Sequence, residues 1–217
     1  MKTFDKLTLG EYQELYKIHS RPDTTDLDII EKAVETISIL TDKPRWEVED
    51  ISMGEVFTTS RQMAVLFGSP PLLKKPKSYL RISGKLYKVC LNPRQLTAAQ
   101  FTDVQAFIKR GAVENLHKII ASIIRPVSGL LRKPHRYDSE NHALISEGIT
   151  ELRVMEVLSI SGFFLLLWNH SIRSMVPYLT QEIKTRMRNP ESLQIPLQTI
   201  LDGFMTYMPF ESRTGLK

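Results

Sequence analysis

The chain has a single cysteine, Cys90, in 217 residues. A lone thiol excludes an internal disulfide framework and fits a reducing compartment. One cysteine and five scattered histidines supply no zinc-ligand spacing. The ten glycines stand singly. That excludes the two glycine-rich phosphate cradles, G-x-x-x-x-G-K-[ST] and G-x-G-x-x-G. A G-x-S-x-G elbow and an H-E-x-x-H zinc helix are absent too. The histidines His117, His135, His142 and His170 have no partner at local spacing, and Cys90 has no histidine near it. Converging groups are the first requirement of an active site, so the expectation is no enzyme, no cofactor and no metal. Long apolar runs are also missing. The best membrane candidate, "ISGFFLLLWNHSI", is uninterrupted only over 162–168, far short of the roughly 20 residues a span needs. It is expected to be a buried core helix, with no membrane contact. The opening "MKTFDKLTLGEY" carries charges where a signal peptide has an apolar core.

What is present is ordinary in amount and uneven in placement. Hydrophobic residues make up 42% and charged residues 24%, as in a globular protein. The net charge of +5 hides a segregation. Residues 1–70 hold 8 Lys/Arg against 13 Asp/Glu, net −5; residues 71–137 hold 14 against 2, net +12; residues 138–217 hold 7 against 9, net −2. An acidic head and a basic middle suggest complementary faces between segments or between subunits.

Periodicity predicts a mainly α protein (α+β), a helical bundle-like domain with one small β-hairpin mid-chain. Capping boxes at Thr8/Glu11, Ser52/Glu55 and Thr97/Gln100 mark three helix starts. Thr24 or Thr25 can cap a further helix whose apolar residues run from Ile29 to Leu40. A short turn or helix begins near Pro44, and Gly68 is expected to stop the helix that Ser52 starts. "KSYLRISGKLYKVCL" alternates on both sides of Ser83–Gly84, a hairpin with Leu80 and Ile82 on one face, and is read as the only β element. In "LTAAQFTDVQAFI", Phe101, Val104 and Ile108 define a buried stripe, and Gly111 ends the helix. A second helix runs up to Pro126. "RPVSGLLRKPHRYDSE" then reads as a basic, proline-broken loop. The long C-terminal helix is expected to break near Gly162 and near Pro177. The expected organisation is an N-terminal helical region over 1–125 with the hairpin at 77–91, a basic loop or hinge over 126–138, and a C-terminal helical region over 139–217.

The order of several blocks, more than any one of them, carries a resemblance over about residues 3–190. The blocks are "LTLGEYQELYKI", "WEVEDIS", "LRISGKLYKVCLN", "RQLTAAQFTDVQAFI", "NLHKIIASIIRP", "HRYDSE" and "VMEVLSISGFFLLLWNHSI". In that order they resemble a loosely related group of small morphogenesis proteins of tailed phages, including those infecting Bacteroidetes. The resemblance implies a tail-assembly chaperone or a small virion component near the head–tail junction, and it brings no catalytic residues. It implies tail or other virion proteins as partners, a possible homo-oligomer, and work in the bacterial host cytoplasm or in the virion.

Two sets of residues are candidates for partner contact. One is the basic loop, through Arg132, Lys133 and Arg136, where like charges favour an extended segment that orders against an acidic surface. The other is the Met- and aromatic-rich C-terminal part: Met175, Met187, Met205, Tyr207, Met208 and Phe210. Methionine adapts to varied apolar surfaces. Met155, Phe163 and Phe164 are expected in the core. Two alternatives stand beside the chaperone: a ring or connector subunit, since segregated charge suits head-to-tail contacts, and a DNA-binding accessory protein drawing on the basic middle.

Overall fold

The computed structural model describes residues 2–59, 75–128 and 133–186. The protein is mainly helical with a small antiparallel sheet. The helices are α1 (Leu9–Ser20), α2 (Asp26–Thr41), α3 (Arg45–Glu49), α4 (53–59), α5 (Ala98–Lys109), α6 (Leu116–Ile123), α7 (His142–Thr150) and α8 (Val154–Arg186). The strands are β1 (Tyr79–Ile82), β2 (Lys85–Val89), β3 (Ile124–Ser128) and the two-residue β4 (Lys133–Pro134), ordered β1–β2–β3–β4.

Local chemistry explains the helix starts. Thr8, Thr25 and Thr97 each accept from the backbone N–H three residues on, while Glu11, Asp28 and Gln100 bond back to the cap. Each box satisfies two amides that a helix start leaves free. At Ser52 the hydroxyl accepts from the Glu55 N–H at 3.3 Å. The expected stop at Gly68 lies outside the described residues. Pro44 opens α3, and Gly111, at φ +107°, follows α5 as expected. The hairpin turn puts Ser83 and Gly84 both at positive φ, as a two-residue I′ turn demands. Leu80 and Ile82 are buried.

The third strand corrects two sequence expectations. Ile124–Ser128 is neither helix tail nor loop. It pairs antiparallel with β2, Lys88 opposite Arg125 and Tyr87 opposite Pro126. The hairpin is therefore not the only β element. Pro126 sets where the next pairing ends. Its carbonyl accepts from the His135 N–H at 2.8 Å, but it has no N–H to return. The β3–β4 ladder covers only Val127–Pro134 and Ser128–Lys133. Among the described residues of the basic segment, Lys133–His135 are thus tied to the sheet instead of extended away from it.

Helix α8 corrects another expectation, since it continues through Gly162 and Pro177. A glycine costs a helix only about 1 kcal/mol. An internal proline removes one i→i−4 bond and bends a long helix more readily than it ends one.

Two hydrophobic clusters hold the fold. The larger gathers Leu80, Ile82 and Val89 of the sheet, Val104 and Ile108 of α5, most of α6, and Val157, Ile160, Phe164 and Trp168 of α8. Phe101 is only half-buried against it, 4.6 Å from the Trp168 ring, so the α5 stripe is fully buried at Val104 and Ile108 alone. The smaller cluster joins Leu7, Leu15, the inner face of α2, Val48, Val56 and Val154. α1 and α8 serve both clusters. Leu9 lies in one and Leu15 in the other, while Leu9 N–H donates to Leu152 and Val154 N–H to Leu7. α7 lies tight on the hairpin. A Cβ added at Gly148 would come 2.6 Å from Ile82 Cγ2, so only glycine fits there without movement.

Candidate interaction surfaces

The residues proposed from sequence fall unevenly. Arg136 is exposed beside β4, and Lys133 lies in β4. Arg132, Met187, Met205, Tyr207, Met208 and Phe210 lie outside the described residues. Met175 lies in α8.

Sequence reading missed an interior polar cluster between α5, α6 and α7. Gln100 is fully buried. Its Nε2 donates to the Ser122 carbonyl at 2.8 Å, and its Oε1 accepts from Arg125 at 2.8 Å. His142 Nε2 lies 3.0 Å from Ser122 Oγ and 3.2 Å from the Lys118 carbonyl, with its ring stacked on Phe107. Tyr137 donates to Asp103 at 2.8 Å. A serine, a histidine and an aspartate thus come close together, but in a structural arrangement. The Ser122 hydroxyl donates to Lys118 O at 2.9 Å, so it has no proton left for the imidazole. The imidazole then donates from Nε2, the reverse of general-base polarity. Burial lowers the His142 pKa, and burial, then the Asp103 bond, raises that of Tyr137. Both groups stay neutral near pH 7. Tyr137 pins the segment after β4 to α5, and Arg136 stands on that clasp. Local spacing could not reveal these contacts, because His142 and Ser122 lie 20 residues apart and Tyr137 and Asp103 lie 34 apart.

His117 is likewise engaged. Its Nδ1 lies 3.0 Å from Gln13 Nε2, which also donates to the Val113 and Glu114 carbonyls. Burial, with Lys118 and Lys17 nearby, pushes its pKa down to about 4. Cys90 follows β2, half-buried, and burial raises its pKa. It is no activated nucleophile.

Two surfaces remain open. The first is on α8. By length and composition Val154–Ile172 is a helix that could cross a membrane, yet 39% of that window is buried in the protein. Its inner stripe is core. Its outer side leaves Phe163 40% and Leu166 68% exposed, which corrects the expectation that Phe163 is buried. Phe163, Leu167 and His170 line an open cleft of about 450 Å³ with Leu91, Pro93 and Arg94. The second surface is the solvent side of the sheet. Alternation puts Tyr79, Arg81, Leu86, Lys88, Arg125 and Val127 on the face opposite Leu80, Tyr87 and Val89. Arg81 and Lys88 are exposed, with no acidic partner among the described residues.

No family model, no curated protein and no solved structure matches this chain.

Proposed function

We propose that the chain is a non-enzymatic morphogenesis protein of a tailed phage, acting as a tail-assembly chaperone in the host cytoplasm. The observation that carries this reading is the outer side of α8. Phe163, Leu166 and Leu167 sit at helical spacing beside an open apolar cleft, the form of site that takes an apolar helical segment of a partner. The order of sequence blocks resembles that of tailed-phage morphogenesis proteins, and this resemblance supports the same reading. The polar clusters inside the fold are consumed in holding it together, which leaves surfaces to do the work.

The test has two arms. Co-expression with the phage's tape-measure protein should keep that protein soluble, and replacing Phe163 and Leu166 with Asp should abolish the effect while leaving the melting curve unchanged. Mass spectrometry of purified particles should find the chain absent. Stoichiometric presence would make it a ring or connector subunit instead.

A further inference from the structure

We infer, building on the helix-binding reading of the α8 cleft, that the segment it takes is an amphipathic helix with carboxylate side chains beside its apolar anchors, and that Arg94 selects it. The cleft is lined in two ways. Leu91, Pro93, Phe163 and Leu167 give it apolar walls. Its polar lining is Asn92, Arg94, His170 and Ser171, with no acid among the described residues. Two of these four are committed to the fold. Asn92 Oδ1 accepts from the Arg94 N–H at 3.0 Å, and Ser171 is buried. Arg94 and His170 are exposed. The backbone around Arg94 is held on both sides, by Asn92 before it and by Arg125, which donates to the Gln95 carbonyl at 3.1 Å. Its charge is therefore fixed at the cleft while its guanidinium faces solvent.

Among the described residues no ion pair includes Arg94. The next acid along the chain, Asp103, bonds Tyr137, and Glu156 of α8 pairs with Lys77 at 2.8 Å. A fixed cation beside an apolar cleft that holds no acid favours an acidic partner and repels a basic one. Charges placed this way govern the choice of partner more than raw affinity. Length decides where the carboxylate comes from. Phe163, Leu167 and His170 span two turns of α8, about 10 Å at the helical rise. Leu166, 68% exposed, carries the apolar strip beyond the residues that line the cleft. An occupant that covers the strip runs past the cleft. The carboxylate is therefore a side chain within a helix, not a chain end or a small free acid.

The test is anisotropy of three labelled helical peptides of about four turns with the full chain. All three carry Leu and Phe at i, i+3, i+4 and i+7. They differ on the flanks of that stripe, which are Glu, Gln or Lys. The Glu peptide should bind about tenfold more tightly than the Gln peptide, and the Lys peptide most weakly, with the differences shrinking as salt rises. Arg94→Gln should bring the Glu peptide to the level of the Gln peptide and leave the Gln peptide unchanged. Arg94→Glu should reverse the order, so that the Lys peptide binds best. Both variants should keep the wild-type melting temperature. Phe163→Asp should abolish binding of all three. Equal binding of the Glu and Gln peptides, both lost in Phe163→Asp, would keep the helix-binding cleft and overturn the acidic partner. An equal loss of both peptides in Arg94→Gln would do the same. Binding of no peptide would overturn the cleft reading and this inference together. A dimer in sedimentation that Phe163→Asp dissolves, with no peptide bound, would give the cleft to a second copy of the chain.

Discussion

The N-terminal helices and the basic middle handle charge in opposite ways. In the first 59 residues acids outnumber cations, yet the structure spends them locally. Lys2 meets Glu11 and Asp42, Lys32 meets Asp23, and Arg45 lies among Glu31, Glu35 and Glu49. In the middle, Arg81, Lys88 and Arg94 face solvent. Among the described residues no ion pair joins the acidic head to the basic middle; the middle's pair, Lys77–Glu156, runs to α8. What joins the two regions is neutral. α1 is shared by both hydrophobic clusters, and Gln13 reaches across to Val113, Glu114 and His117. A charge asymmetry of −5 against +12 therefore does not mean that the two segments neutralise each other. It leaves one of them available.

The comparison breaks most directly if the two regions fold separately. Trp168, 1% exposed and packed on Phe101 and Phe164, is the test. Trp168→Ala should cost about 3–5 kcal/mol. The variant keeps Trp46, on α3, as its remaining tryptophan, so its fluorescence reports on the N-terminal helices. Because α1 and α8 serve both clusters, the Trp46 signal and the far-ultraviolet signal should shift together. A Trp46 transition left at the wild-type midpoint would show two independent units. Trp168→Phe should cost less, since the indole N–H is buried without a partner and its loss removes a desolvation penalty.

The neutral link sharpens the comparison next. Gln13→Leu leaves the Glu114 carbonyl without its side-chain donor and the Val113 carbonyl with the Leu116 N–H alone, and should cost about 1–3 kcal/mol in a urea titration. A loss that shrank with added salt would mean that charge, not the amide, holds the regions together.

How far such features could be read from sequence depends on the distance over which they are decided. Capping at Thr8, Thr25 and Thr97 is settled within three residues, as is the Ser83–Gly84 turn, and these were legible. β3 was not. Ile123 and Ile124 continue an apolar helical pattern, and only the open edge of β2, some 35 positions earlier, makes the chain extend. The same holds for the surfaces. Alternation named the hairpin's two faces, but which of them is covered depends on α7, through Gly148. Phe163 and Phe164 are neighbours in sequence, and their opposite burial follows from which side of α8 meets α5 and α6. Gln13 and His117, 104 positions apart, carry no local signal.

A smaller effect comes from His117. Its pKa in the folded protein, about 4, lies below its ordinary 6.5, chiefly because of burial. The unfolded chain therefore binds the proton more readily between those values. The stabilisation is complete above about pH 6.5 and is lost as pH falls toward 4. Wild type should lose melting temperature over that window faster than His117→Gln, which cannot titrate. Parallel curves for the two would show that His117 is already accessible to protons in the folded state.

The smallest effect comes from the paired charges themselves. Arg45 bonds Glu49 at 2.7 Å and lies 3.6 Å from Glu35, yet its side chain is half exposed. Water screens such a pair, and ordering two long side chains offsets much of the attraction. Arg45→Gln should lower the urea midpoint slightly at low salt and not at all at high salt, where the screening length shrinks to a few ångströms. Arg81→Gln should act with the opposite sign. Among the described residues Arg81 has like-charged neighbours and no acid to lose, so its removal should leave the midpoint unchanged or raise it, again only at low salt. The sign of the pair is the sharpest reading of the contrast between the two regions. If both substitutions destabilised equally, Arg81 would have a partner in solution, and the outer face of the sheet would not be the unneutralised surface that sets the middle apart from the N-terminal helices.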